Sequence, residues 1–432
     1  MGMAILTLLV VSAAAQTVPS SIKDDPRSVY QRRIHPKELV ERLDWTGRIN
    51  ELLKAEPGDM IVTAVGDMIF NQPISHLVDP DRAGLLQIMQ EADIAYGNME
   101  FSMNDRADLQ RPFYNFRAPR DFRWELARTG INMVSLANNH ALDFGPEGLK
   151  ESLLALDHSN ITYAGAGNTL AEARKPGRMQ VAGHKTSIAL LSYMRYWTAK
   201  YRTKDPNGPS LATIDPAVIL IAKDGKVEKV EGPLESDVMA MEDDVILAKR
   251  RSDVLLVSLH NHDVTHHRAY GIQDATPPND EIMFRRAVDA GADFVIGTGP
   301  HVLRGIEIYK GKPIFYSLGD FIYQYRTPDR IPVDLIHQRD IEMPWSADVS
   351  VWDRRDSREV METVMVRMTL NQGKLKRIQL LPVTIDDEGP LYGVPRLAGS
   401  KRSGEIIALM QKLSKPFGTK IVSRGWYAEV EF

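Results

Sequence analysis

The strongest constraint on what this chain can fold into is a repeated pattern. A short apolar run ends in one or two polar residues of a chemically active type, and helix-like stretches lie between such units. Met60–Val65 precedes Gly66-Asp67, and Ala92–Gly97 precedes Asn98 and Glu100. Met133–Leu136 precedes Asn139-His140, Asp253–Leu259 precedes His260, Phe294–Gly297 precedes His301, and Pro313–Leu318 precedes Gly319-Asp320. Helix-like segments at 82–91, 121–129 and 279–290 separate these runs, and Thr169-x-x-Glu172 has the form of a capping box. Apolar strands alternating with helices predict an α/β core. Two later runs, 364–370 and 375–383, flank Asn371-Gln372-Gly373-Lys374 and predict a β-hairpin with Gly373 in the turn.

In open α/β sheets, ligand-binding groups gather where strands end, because the rigid sheet aims the following loops into one crevice. Each position alone is an ordinary turn or surface residue, so the argument rests on their conjunction. The chain has no cysteine, which excludes disulfides, zinc-thiolate sites, iron–sulfur clusters and a thiol nucleophile. A metal site must therefore draw on His, Asp, Glu and Asn. Asp67 and Glu100 can bridge two cations, imidazoles complete the coordination, and an Asn carbonyl adds a hard oxygen. That mixture suits one or two Mn, Fe or Zn ions. His260 and His262 would share one face of an extended strand, so both are candidate ligands, with His266 and His267 less favoured.

Other functions are disfavoured. With 53 basic against 57 acidic residues the net charge is −4, which gives no electrostatic footprint for nucleic acid. There is no Gly-x-Ser-x-Gly string and no Walker A loop. Residues 4–15 form an apolar run closed by Ala13-x-Ala15, which predicts a signal segment over 1–15 and export, to a periplasmic or extracellular location, although no basic residue precedes the run. The expected organisation is then a helical extension at 16–57, a main domain at 58–385 with an irregular polar insertion near 197–245, and a C-terminal extension at 386–432.

The strings Gly66-Asp67, Asn98-x-Glu100, Leu136-Ala-Asn-Asn-His-Ala-Leu-Asp143-x-Gly145 and Gly299-Pro300-His301-Val-Leu-Arg-Gly-Ile-Glu307 resemble the CapA family of capsule and poly-γ-glutamate synthesis proteins, over about residues 59–325. That family is similar to calcineurin-like metallophosphoesterases. The resemblance implies a metallophosphatase-like four-layer α-β-β-α sandwich with a dinuclear metal centre at the strand ends. It places Asp67, Asn98, Glu100, Asn139, His260 and His301 as metal ligands. His140 falls near the leaving group, and Asp67 counts with it among the catalytic residues. Two departures stand out: many relatives carry His where this chain has Thr298, and the phosphoesterase Asp-x-His start is broken by Ile69. His262 is a candidate to compensate.

The expected activity is divalent-metal-dependent hydrolysis of a phosphoester-like bond in a polymer synthesis or export pathway. The expected partners are an anionic polymer or phosphoester substrate and a membrane synthase or export complex. Two alternatives are an accessory protein that binds an anionic polymer without catalysis, and a metal-dependent amide hydrolase of polyglutamate. Asp143 either caps the helix at Gly145-Pro146-Glu147, the favoured reading, or orients His140. Asp320 is read as a turn residue. Arg304 either binds an anionic substrate or pairs with Glu307. Arg111, Arg117, Arg120 and Arg123 form either an anion groove or, the favoured reading, a solvated basic face.

Overall fold

β-Branched and aliphatic residues crowd the predicted runs, and in the computed structural model each run lies in a buried strand. The structure describes residues 45–105, 115–195, 207–223, 226–261, 278–324 and 358–432. The expected signal segment, most of the N-terminal extension, and His262, His266, His267 and Arg111 lie outside the described residues. Among those described, no helix is long and apolar enough to cross a membrane.

The strands that frame the site are β1 (Asp59–Ile69), β2 (Ile94–Met99), β3 (Met133–Ser135), β4 (Ser187–Arg195), β5 (Val254–Asn261), β6 (Phe294–Thr298), β7 (Asp320–Tyr323), β8 (Glu362–Asn371) and β9 (Lys374–Ile385). They divide between two sheets. The first runs β9-β8-β1-β2-β3, with β7 added beside β1. β1, β2, β3 and β7 are parallel there, and β8 and β9 are antiparallel. The second sheet runs β4-β5-β6 in parallel, continued by Lys312–Phe315 and Ile306–Tyr309. The β8–β9 hairpin turns at Gln372 and Gly373, both at positive φ (49° and 74°), as a two-residue turn requires.

The helices are α1 (Trp45–Leu53), α2 (Pro80–Gln90), α3 (Arg123–Thr129), α4 (Gly145–Asp157), α5 (Glu235–Lys249), α6 (Pro278–Ala290) and α7 (Ser400–Ser414). Three apolar clusters hold them and the sheets together. Val62, Ala64, Tyr96 and Val366 of the first sheet share a cluster with Leu190, Leu256 and Ile296 of the second. Val65, Ile69 and Val134 share another with Ile88 of α2, Leu126 of α3 and Leu153 of α4. Leu191, Leu255 and Val295 share the third with Met241 of α5 and Phe284 of α6. Strand residues thus alternate between the intersheet cluster and a helix-covered one, the period-2 pattern that burial of both sheet faces demands.

Three expectations change. The strand expected to stop at Val65 continues to Ile69 through a bulge: β1 takes three steps from Ala64 to Asp67 while β2 takes two from Tyr96 to Asn98. One extra residue turns Asp67 back to the side of Val62 and Ala64. The stretch 197–245, expected to be irregular, carries from 207 onward a hairpin (Pro216–Lys223 with Lys226–Pro233) and most of α5. Residues 386–432 are integral: Ala428–Glu431 pairs with β9, and Ile406, Ile407 and Met410 of α7 enter the intersheet cluster. Weak sequence periodicity hid these elements, because their burial comes from tertiary contacts.

Gly66 is required by close approach. A Cβ there would lie 1.9 Å from the Gly319 carbonyl oxygen. Gly66→Ala is expected to destabilise the protein by about 3 kcal/mol or more in denaturant unfolding. Gly404→Ala, in α7 with no atom within 4 Å of the added methyl, should instead stabilise by roughly 0.5–1 kcal/mol.

Candidate metal centre

Asp67 is fully buried where the carboxyl ends of β1 and β6 meet. Its backbone N–H donates to Gly319 O (3.0 Å), which sets β7 beside β1. One carboxylate oxygen, Oδ1, accepts from Asn98 Nδ2 at 2.7 Å, and Oδ2 accepts from the Gly299 N–H at 2.7 Å. Asp67 belongs to two groups of potential metal ligands. It stands with Glu100 and His260 in one and with His301 and Asp320 in the other, and within each group the donor atoms all lie within 4.8 Å of one another. Asn139 Oδ1, 2.8 Å from His260 Nε2, adds an amide oxygen to the first group. Two sheets and six chain segments therefore deliver oxygen and imidazole donors to one place.

The electrostatics are costly. Glu100 is fully buried, and neither of its oxygens receives a hydrogen-bond donor. Burial, with the charges of Asp67 and Asp320, holds its carboxyl well above the usual range. Burial also pushes Asp320 up to about 6, against the pull of His301, whose Nδ1 lies 2.9 Å from Asp320 Oδ1. Burial raises Asp67 too, but His260, His301 and the Gly299 N–H outweigh it and leave Asp67 below the ordinary value. Burial pushes His260 down, more than Asp67 pulls it up, which favours a neutral ring able to act as a ligand. Orphaned buried carboxylate oxygens beside the neutral His260 ring fit a divalent cation.

Asn98 stands beside this cluster with its nitrogen facing it. Its Oδ1 accepts from Ser135 Oγ (2.7 Å) and Asn138 Nδ2 (3.2 Å). Asn138 is itself fixed, because Nδ2 donates to Met99 O (2.8 Å) and Oδ1 accepts the His140 N–H (3.1 Å). Asn98, expected as a ligand through its oxygen, here presents its amide N–H to Asp67, with its oxygen turned to Ser135 and Asn138. Tyr96 braces the floor, with its hydroxyl 3.0 Å from Ser135 Oγ and 2.6 Å from Ser258 Oγ across the sheets.

His140 packs on Phe116 (ring centroids 4.4 Å) and presents Nε2 toward Glu100, 3.9 Å from Oε1. Its Nδ1 lies 2.8 Å from Asp143 Oδ2, which also accepts the Phe116 N–H at 2.9 Å. Asp143 is thus not the helix cap it was expected to be. The N-cap of α4 is Phe144, with no side-chain cap bond. Asp320, read as a turn residue, instead opens β7 in register with Asp67. Sequence reasoning found it at the end of an apolar run, as Asp67 is, but did not count it among the candidate ligands. Thr298, fully buried, places Oγ1 3.0 Å from His260 Nδ1.

Arg304 is 3% exposed and not presented to solvent, and its backbone N–H donates to Ser317 O. Glu307 binds Arg285 (3.0 Å) and the Tyr316 hydroxyl (2.5 Å). Arg120 pairs with Asp105 and Arg123 with Asp121, while the Arg117 guanidinium lies over Phe144.

A cation held by these carboxylates would compete with protons for them. The Asp320 carboxyl, raised from 3.8 to about 6, makes the metal-free fold lose roughly 3 kcal/mol as pH climbs through that interval, and Glu100 adds to the loss. The rise in Tm on adding Mn2+ should therefore be larger at about pH 7.5 than at about pH 5, and a chelator should reverse it. Equal rises, or none, would contradict the electrostatics described above.

The segment that delivers these groups matches a known family: the profile of the bacterial capsule synthesis protein PGA_cap covers residues 61–325. An uncharacterized protein of Sinorhizobium fredii is 27% identical over 426 residues, covering 83% of this chain and 90% of that protein. The PGA biosynthesis protein CapA of Bacillus subtilis is 26% identical over 290 residues, covering 65% of this chain and 68% of that protein. Among solved structures, a Staphylococcus aureus protein described as a candidate 5′-nucleotidase overlaps 76% of this chain and 55% of its own, at 13% identity and a TM-score of 0.39. The chain belongs to the bacterial capsule synthesis protein PGA_cap family.

Proposed function

We propose that this protein serves a capsule or poly-γ-glutamate type polymer pathway as a divalent-metal-dependent hydrolase of a phosphoester-like bond, built on a metallophosphatase-type four-layer sandwich. The observation that carries the reading is the fully buried Glu100 carboxylate without a donor, set beside Asp67, Asp320 and two imidazoles. Such a group is tolerated at neutral pH when a cation offsets its charge.

Asp67, Glu100, Asn139 and His260 would hold one cation, and Asp67, Asp320 and His301 a second. Bound there, such ions lower the pKa of water and polarise a phosphoryl oxygen. The chain's own residues do the rest. Asn98 and Gly299 each donate to one oxygen of Asp67 and so fix the shared carboxylate. Asp143 accepts the Nδ1–H of His140 and so holds the ring with Nε2 toward the departing oxygen, where it serves as the general acid. His140 keeps 14% of its side chain exposed, enough for a substrate to reach it from solvent.

The test is hydrolysis of an activated phosphate ester by the full chain, with and without chelator, alongside elemental analysis. Asp67→Ala should lose both metal and activity. His140→Ala should keep metal and lose about 10^2- to 10^4-fold in kcat, and Asp143→Asn should lose part of that without losing metal. Retained metal binding with no turnover of phosphoesters, but turnover of a γ-glutamyl amide, would move the chemistry to amide hydrolysis. Polymer binding that survives chelation, with no turnover at all, would leave an accessory role.

A further inference from the structure

His260 stands between two sets of neighbours. Its Nε2 faces Asn139 Oδ1 at 2.8 Å and Glu100 Oε1 at 3.9 Å. Its Nδ1 faces Thr298 Oγ1 at 3.0 Å, Asn98 Nδ2 at 3.2 Å and Asp67 Oδ1 at 3.7 Å. The Thr298 contact is built into the sheet, since His260 and Thr298 are register partners on β5 and β6 and project from the same face.

A neutral imidazole carries one N–H and one lone pair, and the partner of one nitrogen sets the role of the other. With the proton on Nε2, the ring donates to Asn139 Oδ1, and Nδ1 accepts from Asn98 or Thr298. For Nε2 to turn its lone pair toward a cation, the proton must sit on Nδ1 and find an acceptor there. Asn98 offers only an N–H at that point, because its oxygen is taken by Ser135 and Asn138. Asp67 Oδ1 lies beyond hydrogen-bond distance and already accepts from Asn98. The Thr298 hydroxyl can both donate and accept.

We propose that Thr298 is a positioning residue for the metal centre. Its hydroxyl accepts the His260 Nδ1–H when Nε2 faces a cation on the Glu100–Asn139 side, and it donates to Nδ1 otherwise. One proton is taken up at Nδ1 and one is released from Nε2, so the ring is neutral before and after loading. The inference rests on the metal reading above and adds to it which nitrogen binds and which residue makes that possible.

The experiment uses the full chain carrying 15N-labelled histidine, stripped with chelator and titrated with Zn2+. On loading, the His260 ring should show a metal-bound Nε2 and a protonated Nδ1. By calorimetry, Thr298→Val should bind Zn2+ about 10- to 100-fold more weakly, and Thr298→Ser should stay within about threefold of the parent. Metal on Nδ1, or unchanged affinity in Thr298→Val, would overturn the assignment while leaving the metal reading standing. A parent protein that takes up no Zn2+ overturns both. Should Thr298→Val fail to fold, the ring-nitrogen spectrum of the parent decides.

Discussion

The backbone hydrogen bond from Asp67 to Gly319 is the contact on which the site depends. The chain leaves the second sheet at Phe315, crosses through Ser317–Gly319 and enters the first sheet as β7. That crossing is possible only because Gly66 has no side chain to obstruct the Gly319 carbonyl. It sets Asp320 beside Asp67, and His301, on the loop after β6, comes within reach of both. A bulge on one strand and a crossover between sheets thus do together what neither sheet could do alone. His301 itself is held at φ 59°, a strained conformation for a residue with a side chain, and strain of that kind persists where surrounding structure over-determines it.

The same geometry works against stability. Asp67, Glu100 and Asp320 are fully buried within a few ångströms of one another. Asp67 has two donors and Asp320 has His301, but Glu100 has neither donor nor cationic partner at hydrogen-bond distance. The cost is borne by the three apolar clusters around the sheets, each far more extensive than the polar cleft. Three carboxylates buried together oppose stability wherever their charge is not offset.

How far the site could be read in the sequence follows from what kind of interaction fixes each residue. Asp67, Glu100, His140, His260 and His301 could be read because each ends or follows a strong apolar run, and sheet geometry aims such residues to one rim. The position of Asp67 within β1 could not, since a bulge depends on pairing with β2 and β7 and leaves no local mark. The roles of Asn98, Asp143 and Asp320 were missed for a related reason. Whether an amide presents oxygen or nitrogen, or a carboxylate caps a helix or holds a histidine, is decided by neighbours remote in sequence: Asn138 for Asn98, Phe116 and His140 for Asp143, Asp67 for Asp320. α7 and the strand at 428–431 were likewise legible only once β9 and the intersheet cluster gave them something to pack against.

Two positions at which the resemblance implies histidine, 69 and 298, hold other residues here. Ile69 lies at 2% exposure in the cluster beneath the helices, so that position is closed to a ligand here. Thr298 faces the site but reaches His260, not the cluster's open centre. What the chain offers in their stead is oxygen: the carboxylates of Asp67, Glu100 and Asp320 and the amide of Asn139, with imidazoles from His260 and His301 alone among the described residues. An oxygen-rich set shifts preference toward harder cations such as Mn2+ or Fe2+ relative to a histidine-rich one. Such a set would also place more negative charge around any cation held there than a histidine-rich one would. His140, held by Asp143 at 2.8 Å with its Nε2 turned toward Glu100, adds an imidazole at the edge of this oxygen-rich set.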